Sequence, residues 1–183
     1  NVFATSIAVQ TDGKILIAGL FYHYNDISAN GLVRVNADGS RDFSFDAGQA
    51  ASATGVIFSL DLQPDGKILV GGFFNGFNNQ RGLRHTRLNT NGSIDPTYNV
   101  SGRGVDDVVF RIKALPDGKI LLFGNFRFWL APSGSPEQTR QRIMRLDANG
   151  EIDLSFNANE AIGPNSLSDF VVQTDGKILI SSR

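Results

Sequence analysis

The chain has 183 residues, of which 41% are hydrophobic and 19% are charged, and its formal net charge is −1 at pH 7. This apolar content excludes intrinsic disorder, and the balanced charge excludes the basic surface by which proteins bind nucleic acid. The sequence has no cysteine, which excludes disulfides, thiolate metal sites and cysteine nucleophiles. No apolar run approaches the roughly 18 residues of a membrane-spanning helix, so we expect no membrane insertion.

One short motif, Asp-Gly-Lys-Ile-Leu, occurs four times at nearly constant intervals. The copies begin at Asp12, Asp65, Asp117 and Asp175. Each of the first three copies is followed, 26 to 32 residues later, by a second turn signal, Asp-Gly or Asn-Gly. Two turn signals in each unit predict two hairpins, and therefore four strands, per repeat. Four-stranded repeats of about 50 residues are typical of β-propellers.

We therefore predict an all-β fold, a β-propeller or a partial propeller, built from four-stranded antiparallel blades. The repeat units are predicted over residues 1–53, 54–105, 106–163 and, as a partial unit, 164–183. Three and a half blades leave open strand edges, which attract further strands. We expect the chain to be part of a longer array, with self-association through the open blade edges as the alternative.

The first hairpin of each unit can be interpreted residue by residue. Pro64 presets φ for the first corner of the turn, Asp65 suits the second corner, and Gly66 takes the left-handed position. Short apolar runs flank this type of turn, as at residues 6–9 and 15–17 in the first unit. Consecutive apolar residues predict strands that are buried on both faces.

The second hairpin of each unit carries polar residues that bear some likeness to a calcium loop. In the first unit these are Asn36, Asp38 and Asp42, but Arg34 stands at the first ligand position. Calcium prefers several anionic oxygen ligands, and Arg34 would lie directly opposite Asp42 across the hairpin. We therefore predict a cross-strand ion pair and no cofactor, with a calcium site as the alternative. The equivalent pairs are Arg87–Asp95 and Arg145–Asp153.

Aromatic residues recur at two positions of each unit, and we predict that they are wedges between blades. One set follows the second hairpin, and the other follows the Gly-rich end of the second strand. The two sets are Phe45, Tyr98 and Phe156, and Phe21, Phe74 and Phe126.

Together these motifs resemble the delta-60 repeat of bacterial secreted and surface proteins. The likeness covers residues 9–21 with 34–45, 62–74 with 87–98, 115–126 with 145–156, and 172–180. It implies a β-propeller that serves as one module of a long extracellular protein, and it implies no reaction. The chain departs from the pattern at Phe123, which replaces a glycine, and in a six-residue insertion in the third unit.

The loops between the second and third strands differ from unit to unit, over about residues 22–31, 75–84 and 127–141. Aromatic residues beside Asn, Gln and Arg are typical of surfaces that bind protein or sugar. The alternative is that these aromatic rings cap the blades and pack between loops. The predicted contact residues, of which Trp129 is preferred, are Tyr22, His23, Tyr24, Phe77, Asn78, Arg81, Phe128 and Trp129.

Catalysis has few candidate residues. His23 and His85 are the only histidines, and they occupy different positions in their units. His85 stands where the other units have Leu32 and Ile143, so we interpret it as an adapted strand residue. No serine-nucleophile or zinc-protease motif occurs, and we predict no catalytic residue.

The sequence thus favours a non-catalytic binding or structural module of an exported bacterial surface protein, with an extracellular or cell-surface location. Its expected partner is a protein or a glycan, bound by loops on one face. The alternative is a carbohydrate-active hydrolase or lyase whose site lies at the propeller axis, which would gather carboxylates or histidines there.

Overall fold

The computed structural model describes residues 3–48, 55–78, 80–81, 84–158 and 167–182. Within these ranges the chain forms strands and turns and contains no helix, and therefore none that could cross a membrane. The strands are β1 (Phe3–Val9), β2 (Ile15–Leu20), β3 (His23–Tyr24), β4 (Ile27–Ser28), β5 (Leu32–Val35), β6 (Val56–Leu62), β7 (Ile68–Phe73), β8 (Gly76–Phe77), β9 (Gln80–Arg81), β10 (His85–Leu88), β11 (Gly104–Val105), β12 (Val109–Ala114), β13 (Ile120–Gly124), β14 (Phe128–Leu130), β15 (Pro136–Thr139), β16 (Ile143–Leu146), β17 (Leu167–Val172) and β18 (Ile178–Ser182). The all-β prediction is confirmed.

Three blades repeat one antiparallel sheet. Their strand orders are β1-β2-β5, β6-β7-β10 and β12-β13-β16, and β17-β18 begins a fourth blade in the same way. The first strands of successive blades lie against one another, β1 against β6 and β6 against β12. This stacking of like sheets side by side is the arrangement of propeller blades, and the described array is open and not a closed ring.

The first hairpin of each blade has the predicted bulged turn. The main-chain N–H of Gly13 donates to the carbonyl of Gln10 at 3.0 Å, and that of Gln10 donates to the carbonyl of Lys14 at 2.8 Å. Gly13 has a φ of +83°, in the left-handed region where a side chain is disfavoured. The same hydrogen bonds recur at the other three copies of the motif.

The fourth strand of each blade is reduced to a single bridge, which corrects the prediction of a full outer strand. The bridges are Val35–Arg41, Leu88–Ile94 and Leu146–Ile152. In the first blade the Asp42 side chain accepts a hydrogen bond from the main-chain N–H of Ser44 at 2.9 Å. This local turn competes with strand pairing, so the chain bends away after Asp42.

The second strand of the second blade, β7, is buried along almost its whole length. Ile68, Leu69 and Val70 of β7 are fully buried, as the apolar run predicts. The first strand behaves differently in the first blade, because no described blade covers its outer side. Ile7 and Val9 are 63% and 65% exposed, so the prediction of burial on both faces is wrong for β1.

Blades are joined by aromatic rings and by side-chain hydrogen bonds. Phe45 packs into a core cluster with residues of the second blade, including Ile57 and Phe74, so the wedge prediction is confirmed there. Along the innermost strands, Oγ of Ser59 accepts a hydrogen bond from the main-chain N–H of Ile112 at 3.2 Å. A polar side chain thus satisfies a main-chain donor at the edge of the next blade.

The variable loops contain short hairpins of their own. β3 pairs with β4, β8 with β9, and β14 with both β11 and β15. Each hairpin leaves the end of the second strand and returns to the start of the third. A main-chain hydrogen bond of 2.8 to 3.0 Å closes the base of each, from Gly19 to Gly31, from Gly72 to Arg84 and from Gly124 to Arg142. The three hairpins therefore stand at the equivalent end of the three blades.

Candidate functional site

The predicted cross-strand ion pair is present in each of the three blades. Nε of Arg34 donates to Oδ2 of Asp42 at 2.7 Å. The equivalent distance is 2.8 Å in both of the other blades. Opposite charges that face each other across a hairpin stabilise it, so the ion pair accounts for both residues.

The lysine of the Asp-Gly-Lys motif completes the pair to a triad. Nζ of Lys14 lies 2.8 Å from Oδ2 of Asp42, and that of Lys67 lies 3.0 Å from Oδ2 of Asp95. The third distance, from Lys119 to Asp153, is 2.9 Å. The sequence pattern predicts a turn at this motif and does not predict the contact of its lysine with the aspartate. The sequence feature that indicates this contact is the presence of the lysine in all four copies of the motif.

The triad holds its aspartate ionised. The hydrogen bond from Lys14, together with those from Ser44 and Arg34, keeps the pKa of Asp42 well below its usual value. Burial alone would raise the pKa of Asp95, but the contacts of its carboxylate with Thr97, Lys67 and Arg87 outweigh burial and lower it. These carboxylates are therefore unsuited to accept a proton near neutral pH.

The triads of the first and second blades also reach the next blade. Nη1 of Arg34 donates to the main-chain carbonyl of Thr90 at 2.6 Å, and Nη1 of Arg87 donates to that of Ala148 at 2.7 Å. The guanidinium carbon of Arg34 lies 4.8 Å from the centre of the Phe45 ring. The recurrent charges thus tie strands and blades together. Within the described ranges no group of three or more His, Asp or Glu side chains is placed to hold a metal ion.

The predicted contact residues of the first hairpin lie partly at the surface. Tyr22 is 53% exposed, and His23 is also exposed. Tyr24 is half-buried, and its hydroxyl donates to the main-chain carbonyl of Gly39 at 2.8 Å. Tyr24 therefore braces the hairpin against the blade, while Tyr22 and His23 face solvent.

Two of the predicted contact residues belong to the core. Phe77 and Trp129 are each 1% exposed. Phe77 packs edge-on against Phe74 with 5.7 Å between ring centres, and Trp129 stacks on His85 at 5.9 Å. The packing alternative thus describes these two rings, which present no surface to a partner.

The remaining predicted contacts are distributed over the second and third hairpins. Asn78 is exposed and has a φ of +46° at the tip of its hairpin, and Phe128 is half-buried in β14. Arg81 lies in β9, where it pairs with Gly76, and its side chain is outside the described part of the structure.

The second blade contains a buried polar cluster that the sequence pattern does not predict. Nδ1 of His85 lies 3.1 Å from the hydroxyl oxygen of Tyr98. Burial lowers the pKa of His85 to about 4 and raises the pKa of Tyr98. Nε2 of His85 and Nε1 of Trp129 are buried and have no hydrogen-bond partner among the described residues. The replacement of an apolar residue by His85 was the available signal.

The innermost strands carry carboxylates, but these are paired across blades. Asp61 lies 3.0 Å from Nζ of Lys113 and also accepts from the main-chain N–H of Ala114 at 2.7 Å. Asp169 forms an ion pair with Arg111. A cavity of about 390 Å³ lies at one end of these strands. Its carboxylate, Asp61, already has a cationic partner.

Comparison with known proteins identifies the repeats. A family described as a beta-propeller domain of unknown function, DUF5122, matches residues 10–45, 63–98 and 115–156. No curated protein matches the sequence.

Fourteen solved chains match, and they include the following two from Bacteroides. The extracellular domain of a putative one-component system from B. thetaiotaomicron is 19% identical over 98% of this chain, with a TM-score of 0.49. This chain spans 20% of that one. A protein of unknown function from Bacteroides caccae is 15% identical, with a TM-score of 0.41, over 97% of this chain and 69% of its own.

Proposed function

Because the chain belongs to the DUF5122 β-propeller family, which has no assigned activity, we propose its function from its surface: a non-catalytic module that binds a protein or a glycan. The binding face is the end of the blades that carries the three hairpins β3–β4, β8–β9 and β14–β15. The likeness to delta-60 repeats supports an exported bacterial surface protein as its setting, with the module outside the cell.

One observation carries this proposal. The residues that repeat are used in turns, ion pairs and core packing, whereas the hairpins at the equivalent end of the blades differ in sequence and exposure. Tyr22 and His23 are exposed on the first hairpin, and Asn78 is exposed on the second. The strand Pro136–Thr139 of the third hairpin is exposed along its whole length. Aromatic and amide side chains on a rigid scaffold are suited to binding.

The absence of catalysis is proposed from the carboxylates. Asp42, Asp95 and Asp153 are held in the triads, and Asp61 and Asp169 pair with basic residues of the neighbouring strand. Glycoside hydrolysis needs two carboxyl groups with different proton affinities that face one substrate. The described aspartates of the innermost strands instead have cationic partners.

A binding screen tests the proposal. The protein is immobilised and titrated with purified bacterial and host polysaccharides and with surface proteins of bacteria and host. We expect saturable binding of one of them without release of reducing sugar. Tyr22→Ala combined with His23→Ala should weaken that binding by about tenfold or more.

A matched control is available outside the hairpins. Phe43 is 73% exposed on the outer part of the first blade, so Phe43→Ala removes a similar aromatic area and should leave binding unchanged. Equal losses in the two variants, no saturable binding in the screen, or release of sugar products would contradict the proposal.

Self-association is a second candidate function, favoured by apolar side chains at the two ends of the array. Ile7 and Val9 of β1 are 63% and 65% exposed, and Val171 and Leu179 of the last hairpin are 56% and 55% exposed. Sheet faces of this kind pack against another sheet in propellers. Light scattering after size exclusion tests this candidate, since a mass of 19.8 kDa at all concentrations would remove it.

A further inference from the structure

Neighbouring blades meet through the same positions at each described interface. Successive side chains of a strand point to opposite faces of the sheet, so a blade presents one set of residues to the blade before it and another set to the blade after it. One position of the second strand faces the next blade, and one position of the first strand faces the preceding blade. At the three interfaces these two positions are occupied by Leu16 and Leu60, by Leu69 and Ile112, and by Leu121 and Phe170.

Both positions are buried at all three interfaces. The leucine that faces the next blade is fully buried each time, and the residue that faces the preceding blade is at most 8% exposed. The two residues of an interface also belong to one hydrophobic cluster each time. The three interfaces therefore show what covers each position, which is the opposite face of another blade.

The two ends of the array each expose one of these positions. Leu179 of β18 stands at the position that faces the next blade, and it is 55% exposed. Ile7 of β1 stands at the position that faces the preceding blade, and it is 63% exposed. Val171, the cross-strand partner of Leu179, is 56% exposed, and Val9, on the same face as Ile7, is 65% exposed. Within the described part of the chain no blade lies against either face.

The two exposed faces are complementary because they are the two halves of one repeated contact. Leu179 and Val171 present the surface that each of the first three blades presents to the blade after it. Ile7 and Val9 present the surface that each later blade presents to the blade before it. A second copy of the chain therefore offers to each face the kind of surface that covers it inside the array.

The hydrogen bonds along the innermost strands follow the same register. Oγ of Ser6 accepts from the main-chain N–H of Leu60 at 3.0 Å, and Oγ of Ser59 makes the same contact with the third blade. Asp169 stands at this serine position in the last hairpin, and a carboxylate accepts such a bond as a hydroxyl does. The main-chain N–H of Ile7 stands at the position of the donor. The polar groups at the two ends thus match as the apolar ones do.

We propose that a second copy of the chain docks head to tail, with the face of Leu179 and Val171 on one copy against the face of Ile7 and Val9 on the other. The inference rests on self-association, the second candidate function, and it specifies which surfaces meet. It does not depend on binding by the hairpin face. The contact is heterologous, because the two copies use different surfaces.

Two blocked variants test the pairing by analytical ultracentrifugation. Leu179→Asp places a charge on one face and Ile7→Asp places a charge on the other, and burying an unpaired charge is unfavourable. The wild-type chain should form species larger than 19.8 kDa. Each variant alone should associate at least about tenfold more weakly. An equimolar mixture of the two should form a complex of two copies and none larger, because each variant retains the face that the other has lost.

Both substituted residues are more than half exposed, so the variants should keep the circular dichroism spectrum of the wild type. Phe43→Asp is the matched control. Phe43 is 73% exposed on the outer part of the first blade, away from both faces, and this variant should associate as the wild type does.

The contrary results are distinguishable. A wild-type chain that stays a single copy at all concentrations would remove self-association and head-to-tail docking together. Undiminished association of either single variant would keep self-association but contradict the head-to-tail contact, because two like faces would then be meeting. A mixture of the two variants that stays at single copies, or a loss of association in Phe43→Asp, would also overturn the proposed pairing.

Discussion

The Arg34 guanidinium of the first blade donates a hydrogen bond of 2.6 Å to the main-chain carbonyl of Thr90 in the second blade. Arg87 makes the same contact with Ala148 in the third blade, at 2.7 Å. The side chain of Arg34 therefore contacts both Asp42, on the facing side of its own hairpin, and the turn of the next repeat. An arginine is suited to this role because its planar fork donates in several directions at once.

Because of the inter-blade contact, replacing the arginine should lower stability more in the second blade than in the third. Arg87→Leu leaves the buried Asp95 without a major partner and removes the bond to Ala148, so it should lower the free energy of unfolding by about 3–5 kcal/mol. The side chain of Arg145 is 23% exposed against 8% for Arg87, and Arg145→Leu should cost about 1 kcal/mol. Denaturant unfolding of the two variants measures both values, and equal losses would contradict the inter-blade role.

The lysine of the repeated motif should contribute to stability in the second copy but not in the fourth. Lys67 contacts Asp95, whose side chain is 3% exposed, and Lys67→Met should cost about 1–2 kcal/mol. Lys177 stands at the same position of the fourth copy, is 77% exposed and pairs with the nearby Asp175. Lys177→Met is therefore the matched control and should leave the denaturation midpoint unchanged. A comparable loss in both variants would show that the lysine acts within its own turn.

The buried histidine predicts a loss of stability in mild acid. Burial lowers the pKa of His85 from 6.5 to about 4, so between these values the unfolded state binds a proton that the folded state does not. The free energy of unfolding should fall by an amount on the order of 3 kcal/mol as the pH drops through this window. His85→Leu should abolish that loss, and His23→Gln should retain it.

A second acid transition should remain in the His85→Leu variant. The pKa values of Asp42, Asp95 and Asp153 are held below the usual 3.8 by their hydrogen bonds and ion pairs. Their contribution is present above the pKa of the unfolded state and is lost as the pH falls through the folded values. Unfolding curves at a series of pH values should therefore separate the histidine from the carboxylates. A single transition that the histidine variant leaves unchanged would contradict this assignment.

The triads also predict the response to calcium. Because each recurrent aspartate already accepts from an arginine and a lysine, calcium would have to displace two cations to bind there. Adding or chelating calcium should therefore leave the melting temperature unchanged. A rise of several degrees with calcium would restore the alternative that the sequence left open.

The repeated features of the fold could be predicted from the sequence because each follows from a local rule. The bulged turn at Gly13 follows from turn chemistry, and the Arg34–Asp42 pair follows from the register of a short hairpin. The prediction of a full fourth strand was wrong because the Asp42 side chain accepts a hydrogen bond from the main chain of Ser44 and forms a turn. This turn competes with strand pairing, and a strand pattern in the sequence does not reveal it.

The candidate sites were harder to predict because burial depends on contacts between distant segments. The sequence favours Trp129 as a contact residue, yet Trp129 stacks on His85 from another blade. That ring pair joins residues 44 positions apart in the sequence, and no local pattern indicates it. The substitution at His85 is visible in the sequence, but its contacts with Tyr98 and Trp129 depend on the folded structure.

The central claim is that the charged residues repeated in every blade are scaffold, coupled to one another and not to a ligand. A double-mutant cycle of Arg87→Leu and Asp95→Asn, measured by denaturant unfolding, tests it most directly. We expect a coupling energy of at least about 1.5 kcal/mol, because each residue loses its main partner when the other is changed. Additive effects of the two substitutions would contradict it.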